Sequence, residues 1–328
     1  MLIYTYNHTA TPQKRIKLLD FNLKPVPALR PEKLGLFPFR SGQGRPNRHH
    51  GREVKSFLVH LDSLDESDGR ENGFSREFNS IKKRLASVGD QSELRAEAGR
   101  ERANVRKNRY KDILPFDQTR VPLSLLLDEG YSDYINANFI RGIDGERYYI
   151  ATQGPLGPTV VDFWRMIWEF SVKVIVMACR EVELGKKKCE RYWAAEGTEV
   201  FGPFTITNVT EETLRKEVTI RTLSVSLLDD AETRSVSQFQ YTAWPDHGIP
   251  QEFDCLLEMI TLLHQRQGQL RAPICVHCSA GCGRTGVICN GGLRPEFAQR
   301  KGAPPPAEES ASAVRSGRLR GTVRRAEE

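Results

Sequence analysis

The sequence predicts an α/β domain: a mixed, twisted sheet flanked by helices. Three observations carry this. From about residue 133 onward, short stretches of alternating or continuously apolar residues recur. Before and between them lie segments with apolar residues at helical spacing. The two kinds interleave without a strict strand–helix–strand repeat, so parallel and antiparallel neighbours are expected in one sheet.

The elements follow in order. Residues 1–52 are rich in Pro, Arg and Lys and lack apolar periodicity, and "SGQGRPNRHHGR" (41–52) reads as a loop or tail. Order begins near residue 53. Val54, Phe57, Leu58, Leu61 and Leu64 predict one amphipathic helix, and Phe78, Ile81, Leu85 and Val88 predict another. "YINANFI" (134–140) alternates Ile135, Ala137 and Phe139 with polar residues and predicts a strand. "GPTVVDFWRMIWEF" (157–170) predicts a Pro-opened, very apolar helix, and "KVIVMAC" (173–179) a buried central strand. "EVTIRTLSVSL" (217–227) alternates with one slip between Ile220 and Leu223, which suggests a bulge. "SQFQYTAW" (237–244) alternates cleanly. Phe253, Leu256, Leu257, Ile260 and Leu263 predict a further helix, and "APICVHC" a strand after it. From Asn290 onward, paired Gly, three consecutive Pro and many charges predict a disordered, divergent tail over 290–328.

The net charge of +6 is too dilute over 328 residues to imply nucleic-acid binding. No run of 18 apolar residues predicts a membrane span, and the N-terminus lacks the pattern of a secretory signal. Five of the seven cysteines (Cys255, Cys275, Cys278, Cys282 and Cys289) crowd one region, which is not the layout of a disulfide framework. A reducing cytoplasmic or nuclear setting is expected.

The informative stretch is "VHCSAGCGRTG" (276–286). Its glycines at 281, 283 and 286 match a dinucleotide fingerprint, but no strand–helix–strand unit is completed after it. Its cysteines and His277 suggest zinc, but no second Cys/His pair lies at a matching distance. A third reading is a phosphate-binding loop with a cysteine nucleophile. Small residues (Ser279, Ala280, Gly281 and Gly283, with Cys282 among them) let the backbone curl so that successive N–H groups face one anion. A helix beginning near Arg284 aims its positive end at the same point. Arg284 can clamp two phosphoryl oxygens, and the positive field favours the thiolate of Cys278.

HCSAGCGRTG resembles the signature of the protein tyrosine phosphatases. "KNRYKD" (107–112), "DYINANFI", "YIATQGPL" (149–156), "KKCERYW" (187–193) and "WPDHG" (244–248) resemble further family segments, in the family's order. The similarity covers about 53–289, and Cys282 with the surrounding sequence looks most like the PEST-type non-receptor group. The resemblance implies hydrolysis of phosphotyrosine in proteins through a cysteinyl-phosphate intermediate, without metal or cofactor. It implies Cys278 as nucleophile, Asp246 as general acid and then base, and Arg284 as phosphate clamp. Thr285 would assist loss of the thiolate, and His277 would order the loop. Tyr110 would line a slot deep enough to select phosphotyrosine, and Asp112 would accept a substrate N–H. Glu183 would fix the Arg284 fork and Lys188 would reach the acid loop. Asn108 and Arg109 read as surface residues.

The sequence departs from the family after the loop. Asn290, Gly291 and Gly292 predict an end to the helix after about one turn, and no later segment resembles the family's C-terminal helices or the loop carrying its water-positioning glutamine. The expectation is an incomplete catalytic domain, and the alternative is a catalytically impaired phosphotyrosine-binding module or a non-functional truncated form.

Overall fold

The computed structural model describes residues 59–60, 63–64, 73–89, 95–141, 146–227, 232–245, 248, 250, 253–268 and 270–290. The expectations for 1–52 and for the tail beyond 290 lie outside these residues, as does most of the first predicted helix. The second predicted helix forms as α1 (Gly73–Gly89), with Phe74 and Ile81 about half exposed. A short α2 (Glu97–Arg100), which the sequence reading passed over, is held by Asp117, whose carboxylate accepts from the Glu97 and Ala98 N–H groups.

Eleven strands follow among the described residues. They are β1 (Arg120–Pro122), β2 (Tyr134–Arg141), β3 (Arg147–Thr152), β4 (Val174–Met177), β5 (Val182–Glu183), β6 (Lys186–Lys187), β7 (Thr198–Phe201), β8 (Phe204–Leu214), β9 (Val218–Leu227), β10 (Thr233–Tyr241) and β11 (Ile274–His277). Nine form one sheet in the order β1-β2-β3-β11-β4-β10-β9-β8-β7, and β5 and β6 form a separate hairpin. The strands β3, β11, β4 and β10 are mutually parallel and the outer pairings are antiparallel, so the sheet is mixed as expected. Two helices lie between the parallel strands in sequence: α3 (Val160–Glu169) before β4, and α4 (Asp254–Gln267) before β11.

The apolar run 174–177 lies at the centre of the sheet with every residue fully buried. Both sheet faces are covered. Phe163, Trp164, Ile167 and Trp168 of α3 pack on one, with Ile175, Met177 and Cys275. Leu256, Met259 and Leu263 of α4 pack on the other, with Val174, Val176 and Val276. Full burial of each such side chain contributes about 2 kcal/mol before chain entropy is counted. Within α4, Leu257 turns out to solvent and Met259 takes the core position.

One strand expectation is corrected. The slip in β9 is not a bulge of that strand, since its pairing with β10 runs unbroken from Val218↔Tyr241 to Ser226↔Thr233. Val218 and Ile220 point into one core and Leu223 and Val225 into the other, so β9 changes its buried face partway along. The register break lies opposite, in β8 between Asn208 and Thr210. In β2 the alternation does not mark a solvent face, because both sides are buried from Tyr134 to Ile140. Asn136 and Asn138 donate to loop oxygens: Asn136 Nδ2 to Asn108 Oδ1 and the Ile113 carbonyl, Asn138 Nδ2 to the Phe116 carbonyl and Thr119 Oγ1. Buried amides must be satisfied, and here they fix the loop before β1.

The parallel centre decides where function can sit. Loops leaving the carboxyl ends of β3, β4, β10 and β11 emerge at one edge of the sheet, the usual place for a ligand crevice in an open α/β sheet. Those loops begin with Gln153, Ala178, Thr242 and Cys278.

Candidate active site

Cys278 is the first residue after β11, almost fully buried, at the floor of the loop. The backbone turns at Gly281 (φ +77), where a Cβ would lie 2.5 Å from the Thr152 carbonyl oxygen, so only glycine fits both conformation and space. The chain is helical from 283 to 290, with Gly286 N–H donating to the Cys282 carbonyl at 2.7 Å. The helix therefore makes at least two turns and not the single turn expected. Its first turn carries Arg284 and Thr285. Thr285 is fully buried, and its hydroxyl has no hydrogen-bond partner among the described residues.

The loop's carbonyls are tied outward. Gly154 N–H donates to the Ser279 carbonyl at 2.9 Å, and His277 Nδ1 lies 3.3 Å from the Cys278 carbonyl. A peptide unit is planar with its C=O and N–H opposed. Holding these two carbonyls outward turns the N–H groups of Ser279 and Ala280 toward the hollow of the loop, where an anion would sit. Gly154 is itself constrained, because a Cβ there would meet the Cys278 and Lys188 carbonyl oxygens at 2.7 and 2.6 Å. Cys282 turns its thiol toward the Ala280 carbonyl at 3.6 Å, and burial pushes that thiol up to about 12.

Arg284 reaches back across the loop mouth. Its Nη1 donates to Glu183 Oε1 (2.6 Å) and the Ala178 carbonyl (3.0 Å), and its Nη2 to Glu183 Oε2 (2.9 Å) and the Pro245 carbonyl (3.0 Å). Burial by itself disfavours this charge, but the hydrogen bonds and charge of Glu183 more than offset it and hold the Arg284 pKa above its ordinary value. Glu183 is delivered by the β5–β6 hairpin, whose tip residues Leu184 and Gly185 both have positive φ (50 and 72), the two-residue turn that suits a tight hairpin. Its Oε1 also accepts from the Arg180 N–H at 3.1 Å. Lys188 follows the hairpin, half-buried, with its N–H on the Glu181 carbonyl at 2.7 Å.

One wall is Tyr110, exposed, with its hydroxyl 3.1 Å from Ser279 Oγ. Asp112 is exposed on the turn just after it. Arg109 and Asn108 are not simple surface residues. Arg109 donates through Nε and Nη2 to the Gly154 carbonyl, through Nη2 to that of Pro155 at 2.7 Å, and through Nη1 to that of Lys187. Its N–H donates to Gln153 Oε1 at 2.8 Å. Asn108 Oδ1 accepts from Tyr134 Oη and Asn136 Nδ2. Arg109 thus staples the Tyr110 wall to the segment under the loop. Arg109→Leu is expected to raise KM for a phosphotyrosine peptide about 3- to 10-fold with a smaller change in kcat, since several hydrogen bonds that position the wall are lost together. Steady-state kinetics with unchanged KM would refute it.

Asp246 and His247 lie outside the described residues. Their neighbours are placed: Trp244 is buried with its indole N–H on the Gly248 carbonyl at 3.3 Å, and the Pro245 carbonyl sits on Arg284. The sheet edge therefore brings together Cys278, Arg284, Glu183, Tyr110, Ser279 and the start of the Trp-Pro-Asp segment. Among the described residues no group of three or more His, Cys, Asp or Glu side chains could hold a metal ion, and no helix is long and apolar enough to cross a membrane.

Residues 104–320 match the family model described as Protein-tyrosine phosphatase. The chain belongs to the protein-tyrosine phosphatase family. Among curated phosphatases it is 52% identical over 241 residues to tyrosine-protein phosphatase non-receptor type 18 of Mus musculus, covering 73% of this chain and 52% of that protein. It is 47% identical over 239 residues to non-receptor type 12 of Homo sapiens, covering 72% of this chain and 30% of that one. It spans about half the length of the type 18 phosphatases it matches. Among solved structures, the catalytic domain of human protein tyrosine phosphatase non-receptor type 18 superposes with a TM-score of 0.72 at 48% identity, covering 79% of this chain and 90% of that one. PTPN18 in complex with HER2-pY1196 phosphor-peptides gives 0.70 at 49%, covering 74% and 83%. The fold and the non-receptor group expected from the sequence are thus those of its phosphatase relatives.

The fold also constrains the ionisation of His277. It is fully buried, and desolvation pushes its pKa down to about 4. The unfolded chain binds that proton near pH 6.5 and the folded one only near pH 4. Between those values the unfolded state holds more protons. The contribution is therefore complete above about pH 6.5 and is lost as pH falls toward 4, by about 3 kcal/mol in all. Denaturant melts of the parent and of His277→Asn across pH 7 to 4.5 should converge as pH falls. Curves that stay parallel would exclude this.

Proposed function

We propose that this chain hydrolyses phosphotyrosine in proteins. The observation that carries the reading is the convergence of Cys278, at the floor of a loop with outward-tied carbonyls, with an Arg284 fork locked by Glu183 over the same hollow.

In the first step, Cys278 Sγ attacks phosphorus and the phosphorus–aryl oxygen bond breaks. Asp246 gives its proton to the departing phenolate. The N–H groups of the loop and the Arg284 fork stabilise the three equatorial oxygens, whose charge rises in the transition state. In the second step, water attacks the thiophosphate and passes a proton to the Asp246 carboxylate, and the sulfur–phosphorus bond breaks. Thr285, a buried hydroxyl in the first helical turn, donates to the departing thiolate. Tyr110 stacks on the substrate ring, and the depth of that slot rejects shorter phosphoserine and phosphothreonine. Asp112 accepts from the substrate backbone. Lys188 steadies the acid loop. Phosphopeptides of the HER2 kind held by the type 18 relative are reasonable first substrates. The catalytic unit is taken as 53–289, with 1–52 and 290–328 outside it, and the setting as cytoplasmic.

Turnover of matched phosphotyrosine and phosphoserine peptides by the full chain is the test. Release of phosphate from the first alone is expected. Equal rates on both, or none on either, would overturn the reading.

A further inference from the structure

A buried relay of hydrogen bonds runs from a charged residue on β9 to the phosphate loop. Arg221 on β9 is almost fully buried. Its Nε donates to Glu211 Oε2 at 2.7 Å, and its Nη1 donates to Gln238 Oε1 at 3.0 Å and Gln240 Oε1 at 2.9 Å. Its guanidinium lies 4.8 Å from the centre of the Trp193 ring. Gln238, fully buried on β10, donates through Nε2 to the Tyr192 hydroxyl at 2.8 Å. That hydroxyl is 2.9 Å from His277 Nε2, and His277 Nδ1 faces the Cys278 carbonyl.

The direction of every bond follows from the first. A guanidinium donates and never accepts, so the amide oxygen of Gln238 must face Arg221 and its NH2 must face Tyr192. The Tyr192 oxygen then already accepts a proton, so its own proton is left for His277 Nε2. An imidazole that accepts at Nε2 carries its proton on Nδ1, which is the donor the Cys278 carbonyl requires. We propose that Gln238, oriented by Arg221, is a positioning residue that fixes the His277 tautomer and so aims the Cys278–Ser279 peptide in the phosphate loop. The inference rests on the phosphatase reading for its consequence in turnover and not for its consequence in the tautomer.

Gln238→Glu separates the two. A carboxylate still accepts from Arg221 but cannot donate to Tyr192. It accepts a hydrogen bond from the Tyr192 hydroxyl instead, so the Tyr192 oxygen is left as an acceptor for His277. The imidazole proton moves to Nε2, and an unprotonated Nδ1 is left against the Cys278 carbonyl. The experiment is ¹⁵N NMR of the histidine rings at pH 7, with the His277 signals assigned by their loss in His277→Asn, alongside turnover of a phosphotyrosine peptide. The parent is expected to carry its proton on Nδ1. Gln238→Glu is expected to carry it on Nε2, with kcat/KM lower by roughly tenfold. Tyr192→Phe, which removes one oxygen and keeps the ring, should also lose the fixed tautomer and covers the case in which Gln238→Glu does not fold. A parent protonated on Nε2 overturns the inference. So does a folded variant of either kind that keeps the parent's tautomer and rate. A parent with the Nδ1 proton and no turnover at all sinks the phosphatase reading and leaves the relay standing.

Discussion

Cys278→Ser is expected to slow turnover of a phosphotyrosine peptide by on the order of 10⁴-fold or more, while the peptide still binds. The substitution exchanges one sulfur for one oxygen at a nearly closed site, so the loop around it has no reason to rearrange. The contacts that tie the loop come from backbone groups: the Cys278 carbonyl to His277 and the Ser279 carbonyl to Gly154. They survive the change, and with them the donors that hold the phosphate. What is lost is an ionisable nucleophile, since a serine hydroxyl in the same field does not become an alkoxide near neutral pH. No other cysteine can take over. Burial pushes Cys255 up to about 11 and Cys289 up to about 12, and drives Cys189 and Cys275 higher still, so these remain protonated thiols. Rapid-mixing kinetics and direct binding of the phosphopeptide read the two halves separately. Residual turnover within tenfold of the parent would remove Cys278 from the nucleophile's place. Loss of binding together with rate would mean that the sulfur itself holds the loop.

The parts legible in the sequence are those encoded by short-range pattern. The run 174–177 announces a doubly buried strand because both its faces are apolar, and the 276–286 stretch announces a phosphate loop because small residues must precede the arginine. What pattern cannot show is a polar residue whose partner is far away in sequence. Asn136 and Asn138 alternate with apolar residues as solvent-facing residues would, yet they are buried against loop oxygens roughly 20 or more residues away. Arg109 looks like an ordinary surface cation until the carbonyls of Gly154 and Pro155 fold beneath it. Gln238 and Gln240 read as the wet side of β10, and only the presence of Arg221 on the neighbouring strand makes that side a polar core. The slip in β9 was visible, but its cause, a change of covered face, depends on which helices lie above and below the sheet. Tyr192 lay in plain view inside "KKCERYW", with nothing in its neighbours to connect it to His277, 85 residues on.

Arg284→Lys is expected to lower kcat/KM by on the order of 10²-fold or more, and Glu183→Gln by about tenfold, with the double variant little worse than the Lys variant alone. The geometry sets this order. The Arg284 fork makes four hydrogen bonds at once, two to Glu183 and one each to the Ala178 and Pro245 carbonyls. An ammonium has no planar fork, so it cannot meet both Glu183 oxygens and the two carbonyls at once. Glu183→Gln leaves a group of the same shape but removes the countercharge from a pair in which each side chain is only about a tenth exposed. The guanidinium is then buried without its partner, which costs stability as well as orientation, by about 3 kcal/mol. The bond to the Pro245 carbonyl adds a second consequence. That carbonyl belongs to the residue just before Asp246, so the clamp also touches the segment carrying the proposed acid. A loosened clamp should therefore disturb leaving-group protonation. Both substitutions should slow phosphotyrosine more than an aryl phosphate whose leaving group departs without a proton. A Lys variant within threefold of the parent would show that charge alone at this position suffices. Equal losses on both leaving groups would show that Arg284 serves the phosphate and not the acid segment.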